Sequence, residues 1–336
     1  MRRIPIITIF IFFAIFSHGQ RITVLSTGSD SDSSFYHLSK IDLNEFWAGG
    51  EMGVLKRIDS TGQISHIQYP NQGLNILTIK RIHDYVYILT DNAVIYRYSI
   101  PEGVFITKNF KGFKNKCFYD LIAMEDGSLL VCGGTSGISK GAKKIPKGYI
   151  ATIDADLNEI DFVWKNNRKF VWSLSETSKG HLLASSFNGF NTTVIKRSED
   201  GKWRKFTKIK GLVHELKEMG DDLWYSGTEG IRYKKNGMVG IVGADHWQTA
   251  ESGCQWSMES MDDHVITVSY QSKLFVINKE NHNLHTIQMP SFGSLYDIER
   301  ISNDKLLVIG HAKGVFLVDF QAIPEASTFA LPNEEQ

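Results

Sequence analysis

Trp256-Ser257-Met258-Glu259-Ser260-Met261 opens a short β-patterned run, and further runs follow at 265–270, 273–278 and 284–289, each behind a polar turn. The run at 265–270 is apolar on both alternations, as expected of a strand packed on two sides. The same order of events recurs along the chain. Its anchor is a bulky residue, a polar one and an apolar one: Tyr36-His37-Leu38, Leu77-Thr78-Ile79, Tyr119-Asp120-Leu121, Trp172-Ser173-Leu174, His214-Glu215-Leu216, Trp256-Ser257-Met258 and Tyr296-Asp297-Ile298. The anchors are 41, 42, 53, 42, 42 and 40 residues apart. Four short strands per unit at this period predict an all-β chain, a seven-bladed β-propeller.

Second strands are expected at 46–50, 86–90, 129–134, 182–187, 223–228, 265–270 and 306–311. Third strands are expected at 53–59, 93–99, 148–154, 192–198, 230–236, 273–278 and 314–320. Six units continue into a fourth strand, at 64–69, 104–110, 160–166, 203–209, 239–244 and 284–289. The seventh unit has none, whereas Arg21-Ile22-Thr23-Val24-Leu25-Ser26 precedes the first anchor with no unit of its own. Pairing this N-terminal strand into the last blade closes the ring and covers two open sheet edges. The long step carries a Lys-rich insertion at 135–147 in blade three, either a functional loop or a tolerated surface one.

The composition suits such a scaffold: among 336 residues, 42% are hydrophobic and 12% aromatic, with 29 Gly and only 7 Pro. Residues 1–19 stand apart from it. Arg2 and Arg3 precede an apolar stretch at 4–16, and Ser17-His18-Gly19 offers small residues at a cleavage position. That is the pattern of a signal peptide, and the stretch is short for a membrane span. The chain is therefore expected to be exported (periplasmic, outer-membrane-associated or extracellular), with the propeller at 20–324 and a polar tail at 325–336. Cys117 and Cys254 fall at matching positions three units apart, and Cys117 and Cys132 fall out of register on one hairpin, so free buried thiols are expected.

The middle residue of every anchor is polar: His37, Thr78, Asp120, Ser173, Glu215, Ser257 and Asp297. Gathered near the axis, this candidate channel ring has two readings. It binds a cation or works as acid and base, or its short polar groups bond the backbone of the neighbouring blade, which is the favoured reading. Likewise Tyr36, Tyr119, Trp172, His214, Trp256 and Tyr296 line a sugar-binding mouth or, preferably, pack blade against blade. No metal-ligand spacing, phosphate loop, dinucleotide fingerprint or nucleophile elbow occurs, so no catalytic residue, metal or cofactor is assigned.

Charge is divided unevenly. Residues 101–210 hold 19 basic and 11 acidic side chains, while residues 211–336 hold 9 and 18. Lys140, Lys143, Lys144 and Lys147 of the insertion, with Lys202, Arg204 and Lys205, are the candidate interaction residues of a basic half-disc. Export disfavours nucleic acid as the partner.

Leu223-Trp224-Tyr225-Ser226-Gly227-Thr228-Glu229-Gly230-Ile231, and more weakly Phe46-Trp47-Ala48-Gly49-Gly50, resemble the propeller repeat of Bacteroidota periplasmic sensors and envelope-machinery subunits. Ser198-Glu199-Asp200-Gly201-Lys202-Trp203 is similar to the Asp-box turn of sialidases and photosystem-assembly propellers, shortened by one residue. Asp59-Ser60-Thr61 is similar to the O-glycosylation motif of exported Bacteroidota proteins. These resemblances imply an envelope propeller. The expected function is a non-catalytic platform for protein partners of the cell envelope, meeting membranes only through a partner. A carbohydrate-active or carbohydrate-binding propeller using the channel mouth is the alternative.

Overall fold

The computed structural model describes residues 20–26, 33–110, 116–135, 147–219, 222–235, 238–241, 255–291 and 293–320. The expectations for residues 1–19, for Lys140, Lys143, Lys144 and Cys254, and for the tail lie outside them. The chain begins with β1 (Gln20–Ser26). Blade one is β2 (Phe35–Lys40), β3 (Glu45–Gly50), β4 (Leu55–Asp59) and β5 (Ile64–His66). Blade two is β6 (Ile76–Ile82), β7 (Tyr85–Thr90), β8 (Val94–Ser99) and β9 (Val104–Asn109). Blade three is β10 (Lys116–Ala123), β11 (Leu129–Thr135), β12 (Gly148–Ile153) and β13 (Ile160–Asn166). Blade four is β14 (Phe170–Glu176), β15 (Leu182–Phe187), β16 (Asn191–Arg197) and β17 (Trp203–Lys210). Blade five is β18 (Val213–Met219), β19 (Asp222–Gly227), β20 (Gly230–Lys235) and β21 (Met238–Ile241). Blade six is β22 (Gln255–Met261), β23 (His264–Ser269), β24 (Lys273–Asn278) and β25 (Leu284–Gln288). Blade seven is β26 (Leu295–Arg300), β27 (Lys305–Gly310) and β28 (Val315–Phe320).

Each blade is a four-stranded antiparallel meander, and blade seven is completed by β1 in the order β1-β28-β27-β26. Inner strands touch one another in succession, and β26 meets β2, so the seven blades form a closed ring. Second strands are buried along nearly their whole length, β3 and β27 as intermediate-then-buried runs and β19 throughout. Their apolar side chains fill the seams. Between blades two and three, Tyr87, Leu89, Phe118, Leu121, Val131 and Tyr149 form one cluster. Between blades six and seven, Met261, Ile266, Val276, Leu295, Val308 and Phe316 form another.

The anchor has a backbone cause. In every blade the ladder between the first two strands slips at that point, between Phe35 and His37, Ile76 and Thr78, Phe118 and Asp120, Val171 and Leu174, Val213 and Glu215, Gln255 and Met258, and Leu295 and Asp297. One extra residue on the inner strand is a β-bulge, which bends the strand and re-aims the side chain it carries. Blade after blade, the bulged position holds the bulky anchor residue.

Several edges differ from expectation. The fourth strand of blade one, expected to reach Tyr69, ends at His66; beyond it the Tyr69 hydroxyl donates to the Gly53 carbonyl at 2.6 Å. The third strands of blades one, two and seven begin later than expected, behind short 3-10 turns at Glu51–Gly53, Asp91–Ala93 and His311–Lys313. Gly227 shows why a strand-two glycine is needed at this level: a Cβ there would sit 2.1 Å from the Leu212 carbonyl oxygen. Cys117 and Cys132 are free and buried, opposite Gly134 and Asp120 respectively rather than each other.

Candidate functional site

Because every blade alternates strand direction, the inner strands all begin at one face of the disc, here the entry face, and end at the other. The bulged anchor side chains form a collar near the entry face. Tyr119 stacks on Trp172 at 4.7 Å and 18°, Trp172 meets His214 at 5.3 Å, and His214 meets Trp256 at 4.3 Å. Trp256 then meets Tyr296 at 5.5 Å, and Tyr296 meets Tyr36 at 5.4 Å. Six rings thus link blades three to seven and one, and Leu77 of blade two interrupts them. These contacts turn the rings on one another while Tyr36, Tyr119, Trp172, Trp256 and Tyr296 stay partly exposed, and each is worth on the order of 1 kcal/mol beyond the area it buries. His214 is buried between two indoles, which pushes its imidazole down to about 3 and keeps it neutral.

Below the collar lies the polar ring picked out by the repeat. Asp297 accepts from the Leu38 N–H at 2.7 Å and from its own neighbour Ile298 N–H at 2.9 Å. His37 Nδ1 faces the Ile79 N–H at 3.4 Å and Asp297 at 3.6 Å. Thr78 donates to the Tyr119 carbonyl at 2.6 Å. Asp120 accepts from Leu174 N–H at 2.8 Å, and Glu215 from Met258 N–H at 2.7 Å, with the Ser257 hydroxyl at 3.3 Å from the same oxygen. Ser173 instead bonds Ser185 within its own blade at 2.9 Å. Most members of the ring therefore clasp the next blade's backbone, at that blade's bulky anchor residue or two residues after it. Each inner strand pairs with its own blade along one edge only, and on the open edge the N–H finds its partner in a side chain of the preceding blade.

Two residues further along each inner strand comes a second tier that the repeat did not single out: Ser39, Lys80, Ile122, Ser175, Lys217, Glu259 and Glu299. Lys217 bonds Glu259 at 2.8 Å and the Met258 carbonyl at 3.2 Å; Lys80 faces Asp120 at 3.4 Å; Glu299 faces the Lys40 N–H at 3.4 Å. Burial pushes the Glu215 carboxyl up to about 7, with Lys217 opposing and Asp297 and Glu259 adding to the rise. Burial, then Asp297 and Glu259, pushes Glu299 up to about 8. Burial alone would lower Lys217, but Glu215, Glu259 and Glu299 outweigh it and hold the ammonium above its ordinary range. The Lys217 side chain keeps 34% of its surface open because it lines the channel, so water there tempers each of these shifts. The carboxylates surround an ammonium rather than a vacancy, and among the described residues no group of three or more His, Cys, Asp or Glu is arranged to hold a metal ion.

The candidate interaction residues separate. Lys147 is exposed at the start of β12, on the entry face, where its backbone closes the insertion by bonding Thr135 at 3.0 and 3.1 Å. Lys202, Arg204 and Lys205 sit at the opposite face, where β17 begins. The Asp-box-like turn there is structural: Ser198 donates to the Lys202 carbonyl at 2.7 Å, and Asp200 takes Arg204 at 2.7 Å and Lys202 at 3.5 Å. Beyond the turn, β17 runs as an outer strand of 8 residues, Trp-Arg-Lys-Phe-Thr-Lys-Ile-Lys, with Arg204, Lys205, Phe206, Lys208 and Lys210 exposed. Elsewhere, a hollow of about 410 Å³ at the seam of β1 and blade one is lined by Leu25, Phe35, Lys56, Ile64 and Lys313, and includes none of the polar-ring or candidate interaction residues.

No protein-family model matches the chain, and no curated protein matches it in sequence. Solved structures do resemble it in fold. Virginiamycin B lyase from Staphylococcus aureus superposes with a TM-score of 0.69 at 12% identity, over 89% of this chain and 99% of that one. YCF48 bound to a D1 peptide gives 0.63 at 11%, over 91% and 98%. The extracellular domain of the hybrid two-component system BT3049 from B. thetaiotaomicron gives 0.64 at 12%, over 86% of this chain and 40% of that one. At such identities the likeness is one of fold.

Proposed function

We propose that this chain is an exported, non-catalytic propeller that serves as a protein-interaction platform in an assembly of the cell envelope. The observation that carries the reading is where the polar groups of the scaffold are spent. Around the channel, Asp297, Asp120 and Glu215 are each committed to a backbone N–H of the next blade. On the rim of blade four, by contrast, Lys205 and Lys208 are exposed with no carboxylate in ion-pair reach among the described residues. Charge held out to solvent on a rigid disc steers and orients a charged partner. Two structural neighbours lend the reading support, YCF48 with its bound peptide and the WD40 propeller of Doa1. Residues 1–19 and the resemblance to Bacteroidota envelope propellers support export. The carbohydrate reading is not favoured, since Trp172, His214 and Trp256 use their rings on each other and Glu215 bonds Met258.

The test is the size of the native species. In gentle detergent extracts, after mild cross-linking, the chain is expected to migrate well above its own 38.0 kDa as a hetero-complex. A monomer in every extract, with no cross-linked partner, contradicts the platform.

A further inference from the structure

We infer that the free edge of β17 is a docking strand for an acidic, extended segment of a partner protein, which adds to blade four as a fifth strand. The inference deepens the platform reading and rests on it.

The outer strands differ in what their open edges offer. β5 has 3 residues, β21 has 4, β25 has 5 and β9 has 6. β13 and β1 have 7 each, and β17 has 8. β13 carries Asp161 against Lys165, and β1 has only Arg21. β17 carries Arg204, Lys205, Lys208 and Lys210 with no acidic residue, and its inner neighbour β16 adds Lys196 and Arg197. β17 pairs with β16 along one edge, and among the described residues no strand lies beside its other edge. Such an edge is a row of backbone N–H and C=O groups able to accept another strand.

Lysines on an edge are a common defence against edge-to-edge pairing, and here that defence is selective. A second copy of β17 would bring cation against cation, which is destabilising across a strand pair, whereas a strand bearing Glu or Asp turns each repulsion into an attraction. The placement of the charges suits a strand. Lys205 lies opposite Ile195 and Lys208 opposite Thr193, while Arg204 lies opposite Lys196 on the other face. Ile195 and Trp203 belong to the seam with blade three, and Lys169 reaches Thr193 at 3.1 Å. Phe206 faces blade five, where Lys234 covers its ring at 3.7 Å. Cations therefore line both faces of one ladder edge, matching side chains that alternate along an extended peptide. Phe206, 41% exposed, supplies an apolar contact in the middle. Asp200 takes Arg204, Lys202 and the Ser198 hydroxyl at the start of the strand, and Glu229 takes Lys210 at 3.2 Å and Arg232 at 4.0 Å at its end. The middle of the edge is left for an incoming carboxylate.

The purified full chain is titrated with a labelled octapeptide of alternating Glu and Val or Thr. The controls are the same peptide with a central Pro and phosphatidylglycerol vesicles. The inference expects binding that protects the amides of residues 203–210 from hydrogen exchange and weakens as salt rises. The Pro peptide, which cannot complete the ladder, is expected to bind about tenfold more weakly. Lys205→Glu with Lys208→Glu, both on exposed positions, is expected to cost at least about tenfold while the melting curve stays in place. Equal binding of the Pro peptide, protection elsewhere than β17, or binding of vesicles without the peptide overturns the inference. Because the assay uses purified protein and a synthetic peptide, its failure leaves the hetero-complex in native extracts standing, and a native monomer leaves peptide binding standing.

Discussion

Asp297 and Glu215 perform the same task in different blades, each lending an oxygen to an N–H on the open edge of the next blade's inner strand. Removing such an acceptor leaves a buried donor unpaired, at about 1 to 3 kcal/mol. Asp297→Ala, which strands the N–H groups of Leu38 and Ile298, is expected to lower the melting temperature by about 3 to 6 °C. Asp297→Asn keeps an acceptor and is expected to cost less than half as much; equal losses would count against the clasp. The raised carboxyls give a second prediction. Glu215 and Glu299 hold their protons more tightly folded, at about 7 and about 8, than at their ordinary value of 4.5. Their contribution is complete below about pH 4.5 and fades as pH climbs through about 7 and 8. Glu215→Gln with Glu299→Gln should therefore flatten the decline of melting temperature between those limits, an effect on the order of 1 kcal/mol per group with channel water allowed for. A wild type whose stability rises over that window would refute the assignment. The clasping ring was legible in sequence because one position in every unit is polar. The second tier was not, because Ser39, Lys80, Ile122, Ser175, Lys217, Glu259 and Glu299 share no chemistry, and Lys217 acquires its meaning only beside Glu259, 42 residues away.

The bulged inner strand is the element that makes the repeat visible. A bulky side chain is needed wherever the extra residue turns toward the axis, so the anchor recurs even where the polar tiers vary. Strand ends were less legible, since the short 3-10 turns before β4, β8 and β28 act through backbone hydrogen bonding that hydrophobic pattern does not report. The fate of the basic residues was hidden for a related reason: charge summed along the chain ignores that antiparallel strands carry Lys147 and Lys202 to opposite faces. Close packing of elements is tested by glycine. Gly227→Ala puts a methyl 2.1 Å from the Leu212 carbonyl and should destabilise by about 3 kcal/mol or more. Gly180→Ala, with open space around it and φ +72, should cost about 1 kcal/mol. Denaturant midpoints that rank the two in the reverse order would count against the seam geometry.

The whole ring depends on β1, whose residues 20–24 pair in order with 320–316 and complete blade seven. A chain lacking residues 20–26 exposes the edge of β28, most of whose side chains are buried. It is expected to melt lower by on the order of 5 °C or more and to aggregate. A monomeric truncation of unchanged stability would mean that closure lies elsewhere. With the ring closed, the scaffold spends its polar groups inward on clasps and leaves a cationic edge on blade four. The most direct measurement is partner recovery from the native source with three forms of the chain: wild type, the channel pair Glu215→Gln/Glu299→Gln, and the rim pair Lys205→Glu/Lys208→Glu. The wild type and the channel pair are expected to recover the same partner, and the rim pair to lose it. Recovery by the rim pair with loss by the channel pair, or no partner with any form, would contradict this expectation.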